Sequence, residues 1–308
     1  MNRLPDIRYL PNHQIDRDKW DHCIGKAANG LIYSYSFYLD HMARNWDALV
    51  LNDYEAVFPL TWNKKYGIYY LYQPFLAAQL GLTGNSIDAG LLDSFLKAIP
   101  VKFKYWDIYL NHRNLFSFAD FELYQRSNYV LDLQRPYDEL HAAYRSTTQR
   151  NIKKAIQAGC TVQHDFAAEK VISLARQQMR SATSETNENI ERFEKLYDYL
   201  HARQMAVTYG ILSEQEELLA SAVFFFSHHR AYYILVGNHP NGKTNGASHA
   251  LIDAFIKAHA GEKLWLDFEG SDIRNLAFFY SSYGAVEEKF AGIKLNRLPF
   301  YLKWMKRD

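Results

Sequence analysis

The sequence predicts an α+β fold assembled twice, with mixed sheets flanked by helices instead of a strict alternation of strand and helix. Two observations carry this expectation. Helices, three closely spaced apolar strands, a helix and a further strand occur in that order between about residues 5 and 133, and again beyond 135. Short polar turns join the three strands in each half, which makes each set an antiparallel meander. Pro136 marks the joint, giving expected domains of 1–134 and 135–308.

In the first half, Ile7 to Leu10 reads as a strand closed by Pro11. Asp16 can cap a helix to Lys26 with Trp20, Cys23 and Ile24 on one face, and Ser34 or Ser36 can cap a second helix through Tyr38, Leu39 and Met42. The meander is Ala48–Leu51, Glu55–Thr61 and Ile68–Tyr72, with turns at Asn52-Asp53 and 63–67. A helix over 86–97, a strand from Tyr105 to Leu110 and a hairpin turning at Arg126-Ser127-Asn128 complete it.

The second half begins with helices over 137–144 and 147–158, a break at Gly159 and a short strand at 161–163. Helices over 167–179 and 190–201 follow, the latter with Phe193, Leu196, Tyr197 and Leu200 on one face. Its meander is 206–212, 218–226 and 231–236. A helix after Gly246, a strand to Leu266, a helix near 273–281 and two strands over 286–301 close the chain. The two halves share this order without evident sequence identity, so a duplication is expected.

Bulk properties bound the function. Of 308 residues, 48% are hydrophobic and 22% charged, which is ordinary globular material. A net charge of +1 argues against a protein dominated by nucleic-acid binding, DNA included, and leaves room for a local basic patch. Cys23 and Cys160 show no metal or redox spacing, and the start MNRLPDIRYL lacks the apolar run of a signal peptide. No stretch approaches the roughly 18 apolar residues of a membrane span, so a cytoplasmic chain is expected.

The stretch from Arg230 to Gly284 organises the candidate chemistry. A glycine- and amide-rich loop, 237–246, feeds a helix near Ala247. The first N–H groups of a helix lack intrahelical partners and sit at the positive dipole end, so Asn245, Gly246, Ala247 and Ser248, with the charge of Lys243, are candidates to hold a donor's phosphates. An ordinary strand-to-helix connection explains the same residues. The strand to Leu266 ends in Asp267-Phe268-Glu269-Gly270, where Glu269 is the candidate proton acceptor and Asp267 its orienting or fold-stabilising partner. Both carboxylates can equally be structural. Tyr280 is a candidate proton donor to a leaving group or a core residue with a bonded hydroxyl. Arg145 precedes a helix that carries Arg150, Lys153 and Lys154 at helical spacing, a basic face for phosphate or for solvent. The twelve histidines show no zinc spacing, so no metal site is expected.

Three passages together resemble a known family: Tyr144-Arg145-Ser146-Thr147-Thr148-Gln149-Arg150-Asn151 through Gly159, Gly237-Asn238 through Ser248, and Asp267-Phe268-Glu269-Gly270 through Phe279 and Tyr283-Gly284. They look like the Fem-type aminoacyltransferases, which extend peptidoglycan cross-bridges, and their relatives with a tandem GNAT-like fold. The resemblance implies two GNAT-like domains, the second binding an acyl donor and the first binding acceptor or serving structure. It also implies an N-acyltransferase that moves an acyl or aminoacyl group from a phosphate-bearing co-substrate, acyl-CoA or aminoacyl-tRNA, to an amine. The acceptor would be a small molecule or a cell-wall precursor, and no tightly bound cofactor is implied. Family members using aminoacyl-tRNA often carry a long helical arm and a lysine after the residue matching Phe279. This chain has no such arm and has Tyr280, which keeps acyl-CoA open as donor. Two other readings stand beside it: an acetyl-CoA-dependent N-acetyltransferase of a small amine, and a non-catalytic binding protein on the duplicated fold.

Overall fold

The computed structural model describes residues 6–118, 120–179, 187–270 and 272–299, without the side chains of Met179, Lys243 and Thr244. In chain order the elements are β1 (Ile7–Leu10), α1 (Arg17–Lys26), α2 (Ser36–Met42), β2 (Trp46–Leu51), β3 (Ala56–Lys65), β4 (Ile68–Tyr72), β5 (Thr83–Gly84), α3 (Ala89–Ala98) and β6 (Phe103–Tyr109). Then come β7 (Leu123–Asp132), α4 (Tyr137–Ala142), α5 (Ser146–Gln157), β8 (Thr161–His164), α6 (Ala168–Met179) and α7 (Asn187–His201). The chain continues with β9 (Ala206–Leu212), β10 (Leu218–Ser227), β11 (Arg230–Asn238), α8 (Pro240–Asn245), α9 (Ala247–His259), β12 (Trp265–Asp267), α10 (Arg274–Ser281) and β13 (Val286–Asn296). The class is α+β, with mixed sheets flanked by helices. No helix among the described residues is long and apolar enough to cross a membrane.

The chain packs as two compact units, 1–126 with 289–308, and 127–288. In the first, β1, β2, β3 and β4 pair antiparallel in sequence, and β4 then pairs parallel with β6 across α3. Leu49, Phe58, Phe95, Phe103 and Trp106 fill its core. The β3–β4 connection is two residues, Tyr66 and Gly67, both at positive φ as the twist-matched hairpin turn requires.

The second unit has the same logic. β8, β9, β10 and β11 pair antiparallel, and β11 pairs parallel with β12 across α9. Phe224 stacks on Phe255 of α9 with ring centroids 3.9 Å apart, joining sheet and helix. β10 shifts register at Val223/Phe224, a local bulge against β11.

Several expectations change. The hairpin expected at Arg126-Ser127-Asn128 is one continuous strand, β7, and its second part pairs with β12 in the second unit. The expected pair of strands over 286–301 is the single strand β13, whose Gly292 to Asn296 segment pairs with β6 in the first unit. Residues 300–308 lie outside the described set. Gly292 is no turn: a Cβ there would stand 2.3 Å from the Tyr124 ring, so the glycine admits that ring over the strand. The compact units therefore differ from spans of 1–134 and 135–308, because the last strand of each half closes the sheet of the other unit. Asp16 caps α1 through the Lys19 amide as expected, but no side chain caps α2. Ser36 instead gives both its N–H and its hydroxyl to Asp21.

Candidate active site

The glycine-rich stretch is more structured than a loop. β11 extends to Asn238, the six-residue α8 follows, Gly246 adopts the left-handed conformation, and α9 begins at Ala247. Pro240 at the start of α8 and Gly246 just past its end are the expected start and stop residues. No side chain caps α9.

Packing accounts for two of the glycines. A Cβ on Gly242 would stand 2.2 Å from the Leu219 carbonyl oxygen of β10, and one on Gly246 would stand 2.2 Å from the Asn151 carbonyl oxygen of α5. The backbone is thus held tightly on both sides, which fixes where α9 starts.

Beside that start lies a cavity of about 460 Å³ within the second unit. Asn238, Gly246, Ser248 and His249 line it on one side, and Leu276, Phe279 and Tyr280 of α10 on another. Gln178 of α6 completes the polar set and accepts from the Asn238 amide at 3.0 Å. The Ser248 hydroxyl donates to Asn238 Oδ1 at 2.7 Å. The walls are mainly apolar and the polar groups few, the usual make-up of a small-molecule site.

Three titratable side chains line this space: Tyr233, His249 and Tyr280. Tyr280 is buried, and burial with the charge of Glu269 pushes its hydroxyl up to about 12, so it stays protonated and can donate. Burial pushes the His249 imidazole down to about 4, so it is neutral at pH 7. Its ring meets Phe279 edge-on at 4.8 Å, and Asn151 Nδ2 lies 3.4 Å from Nε2. The unfolded chain protonates this side chain first. Its contribution to stability is therefore full above about pH 6.5 and is lost as pH falls towards 4. Discounted for partial exposure, the wild type should lose about 1–2 kcal/mol more than His249→Gln over that window, read by urea denaturation at each pH.

Asp267 is buried, and burial pushes its carboxyl up while the adjacent Arg230 guanidinium opposes that. It accepts from Arg230 at 2.8 Å, from Asn128 at 2.9 Å and from the Glu269 amide at 2.9 Å, while Arg230 also grips Glu288 at 2.6 Å. This network ties β11 and β12 to Asn128 in the middle of β7 and Glu288 near the start of β13. Glu269 is half-buried at positive φ and is not among the cavity-lining residues. Ala247 is fully buried in the core, so only its backbone faces a ligand role, and Asn245 ends α8 away from the lining. Gly246, Ser248 and Tyr280 are brought together. The Lys243 side chain lies outside the described residues.

Arg145, Arg150, Lys153 and Lys154 are exposed, opposite the buried Thr148, Ile152 and Ala155 of α5. None lines the cavity. The Arg145 guanidinium lies 4.3 Å over the Phe278 ring of α10. Among the described residues no group of three or more His, Cys, Asp or Glu is arranged to hold a metal ion.

Sequence reasoning passed over His249, Gln178, Leu276 and Phe279. His249 follows Ser248 directly on a helix whose next turns are core, which was a readable signal. Gln178 was not readable, because only tertiary packing of α6 on β11 brings it to Asn238.

No protein-family profile matches the chain, and no curated protein matches it in sequence. Solved structures do. FemX superposes with a TM-score of 0.63 at 14% identity, covering 97% of this chain and 99% of that one. The C-terminal domain of a putative lysylphosphatidylglycerol synthetase from Agrobacterium fabrum gives 0.56 at 10% identity, covering 91% and 92%. A GCN5-related N-acetyltransferase from Sphaerobacter thermophilus gives 0.52 at 10% identity, covering 96% and 98%. The chain thus has the fold shared by Fem-like and GCN5-related acyltransferases.

Proposed function

We propose that this chain is an N-acyltransferase of the Fem-like and GCN5-related type, moving an acyl or aminoacyl group from an activated donor to an amine. The observation that carries the reading is the cavity itself, which sets the N-terminus of α9 and a protonated Tyr280 against one half-open, largely apolar space. The donor's phosphates would lie at the amides opening α9, which the helix dipole favours. The amine nitrogen attacks the donor's carbonyl carbon, the bond from that carbon to the leaving sulfur or oxygen breaks, and the leaving atom takes a proton. Tyr280 is placed to give that hydrogen bond, and the amine's proton passes to water. Glu269 acts at one remove, through its charge on Tyr280. Most of the rate would come from holding the two reactants in register.

On this reading the donor is a co-substrate, acyl-CoA or aminoacyl-tRNA, with no tightly bound cofactor. The acceptor is a small amine or a cell-wall precursor, the first unit serves acceptor binding or structure, and the work is cytoplasmic. A thermal-shift screen tests it. A donor that binds the folded chain adds about 2.7 kcal/mol at a hundredfold excess over its Kd, enough to raise Tm by a few degrees. Stabilisation by acetyl-CoA or a longer acyl-CoA is expected. No shift with any acyl-CoA or with charged tRNA would leave only a non-catalytic binding role.

A further inference from the structure

We propose that the end of the first unit formed by the β3–β4 turn and the entry to β6 is a docking surface for an anionic lipid bilayer. Parallel pairing sets its geometry. Tyr69 of β4 lies opposite Phe103 of β6, so the turns that precede these two strands emerge at the same end. Tyr66 and Val101, each two residues ahead of its strand, are 78% and 74% exposed, the two most exposed large apolar side chains among the described residues.

Cations surround this apolar tip. Lys64 and Lys65 are exposed at the end of β3, and Lys102 and Lys104 flank Phe103. The Arg297 amide donates to the Lys104 carbonyl at 2.8 Å, which brings a fifth cation to the same end. Residues 62–72 and 99–106 contain no Asp or Glu. Nearby carboxylates are engaged: Asp47 is buried 3.8 Å from Lys102 and accepts from Tyr9, while Lys97 holds Asp93 and Asp120 at 2.8 Å each. Lys64, Lys65, Lys104 and Arg297 therefore present a positive ring around an apolar point. The Lys64 and Lys65 ammonium groups lie 4.8 Å and 5.5 Å over the Tyr69 and Tyr66 rings, a posture that leaves them free to meet phosphates.

A bilayer fits this surface better than a nucleic acid. An interfacial site needs apolar side chains to enter the headgroup layer and cations to pair with its phosphates. A nucleic acid stacks successive bases on successive ring faces, whereas this tip sets the single Tyr66 ring beside the aliphatic Val101.

Co-sedimentation of the full chain with vesicles tests this. It should partition onto phosphatidylcholine mixed with phosphatidylglycerol, not onto phosphatidylcholine alone, and release as salt rises. The pair Lys64→Glu and Lys65→Glu should weaken partition about tenfold or more, each cation near the surface being worth about fivefold. Tyr66→Ser with Val101→Ser should weaken it too, with thermal unfolding unchanged because all four side chains are exposed. Lys195→Glu with Lys263→Glu, in the other unit, should leave it unaltered. Absence of partition at low salt, equal losses in the control pair, or retention of RNA but not of vesicles through these residues would each overturn the proposal. The measurement reads no acyl transfer, so it stands or falls apart from the catalytic reading.

Discussion

Asp267→Ala should cost about 2–4 kcal/mol of folding stability, because it removes the acceptor of two buried donors and one of the two carboxylates that hold Arg230, which keeps Glu288. Arg230 is mostly buried, and its guanidinium spans Asp267 at 2.8 Å and Glu288 at 2.6 Å. The same substitution removes the shorter of the Asn128 amide's two acceptors, leaving Glu288 at 3.4 Å, and the Asp267 acceptor of the Glu269 N–H. Urea unfolding followed by circular dichroism reads the loss as a shift in midpoint at constant slope. Glu269→Ala, two residues on and half-buried, should change stability by less than about 1 kcal/mol. Equal losses in the two variants would show that the network does not hold this end of β12.

Gly246→Ala should be the most damaging small change at the cavity. Gly246 has φ of +74, and the added Cβ would stand 2.2 Å from the Asn151 carbonyl oxygen, backbone that cannot swing aside as a side chain would. The left-handed conformation costs about 1–2 kcal/mol for a residue with a Cβ, and overpacking adds about 1–3 kcal/mol. Gly261→Ala supplies the comparison. Its φ is +87 with nothing within 4 Å, so it should lose only the conformational part. A Gly246 variant no weaker than the Gly261 variant would mean that α5 and α9 separate easily and that the α9 start is not rigidly placed.

These two positions also show what the sequence made legible. The element order could be read because each half repeats apolar periodicities of 2 and 3.6 with polar turns between them. Asp16 as a cap could be read because its partner is three residues away. The hairpin at Arg126-Ser127-Asn128 was misread, since a polar tripeptide inside a strand looks like a turn until the long-range partners appear. Those partners lie far along the chain, Asn128 with Asp267 and Ser127 with Glu287. The glycine loop was legible as a special backbone but not in its cause. Gly242 and Gly246 answer to the carbonyls of Leu219 and Asn151, contacts that no local pattern encodes. Glu269 as proton acceptor and Asp267 as its orienting or fold-stabilising partner were told apart in sequence only by Gly270, and the structure buries Asp267 against Arg230.

On the proposed function, the cavity beside Ser248, His249 and Tyr280 takes the acyl donor. Calorimetric titration of an acyl-CoA into the wild type and into Leu276→Trp tests it most directly. Leu276 lines the cavity yet is 40% exposed, so a larger side chain there narrows the space without disturbing the core. The wild type should bind one equivalent of donor, and the variant should bind it about tenfold or more weakly with an unchanged melting temperature. Equal affinity in the two proteins, or no binding to either, would contradict the claim.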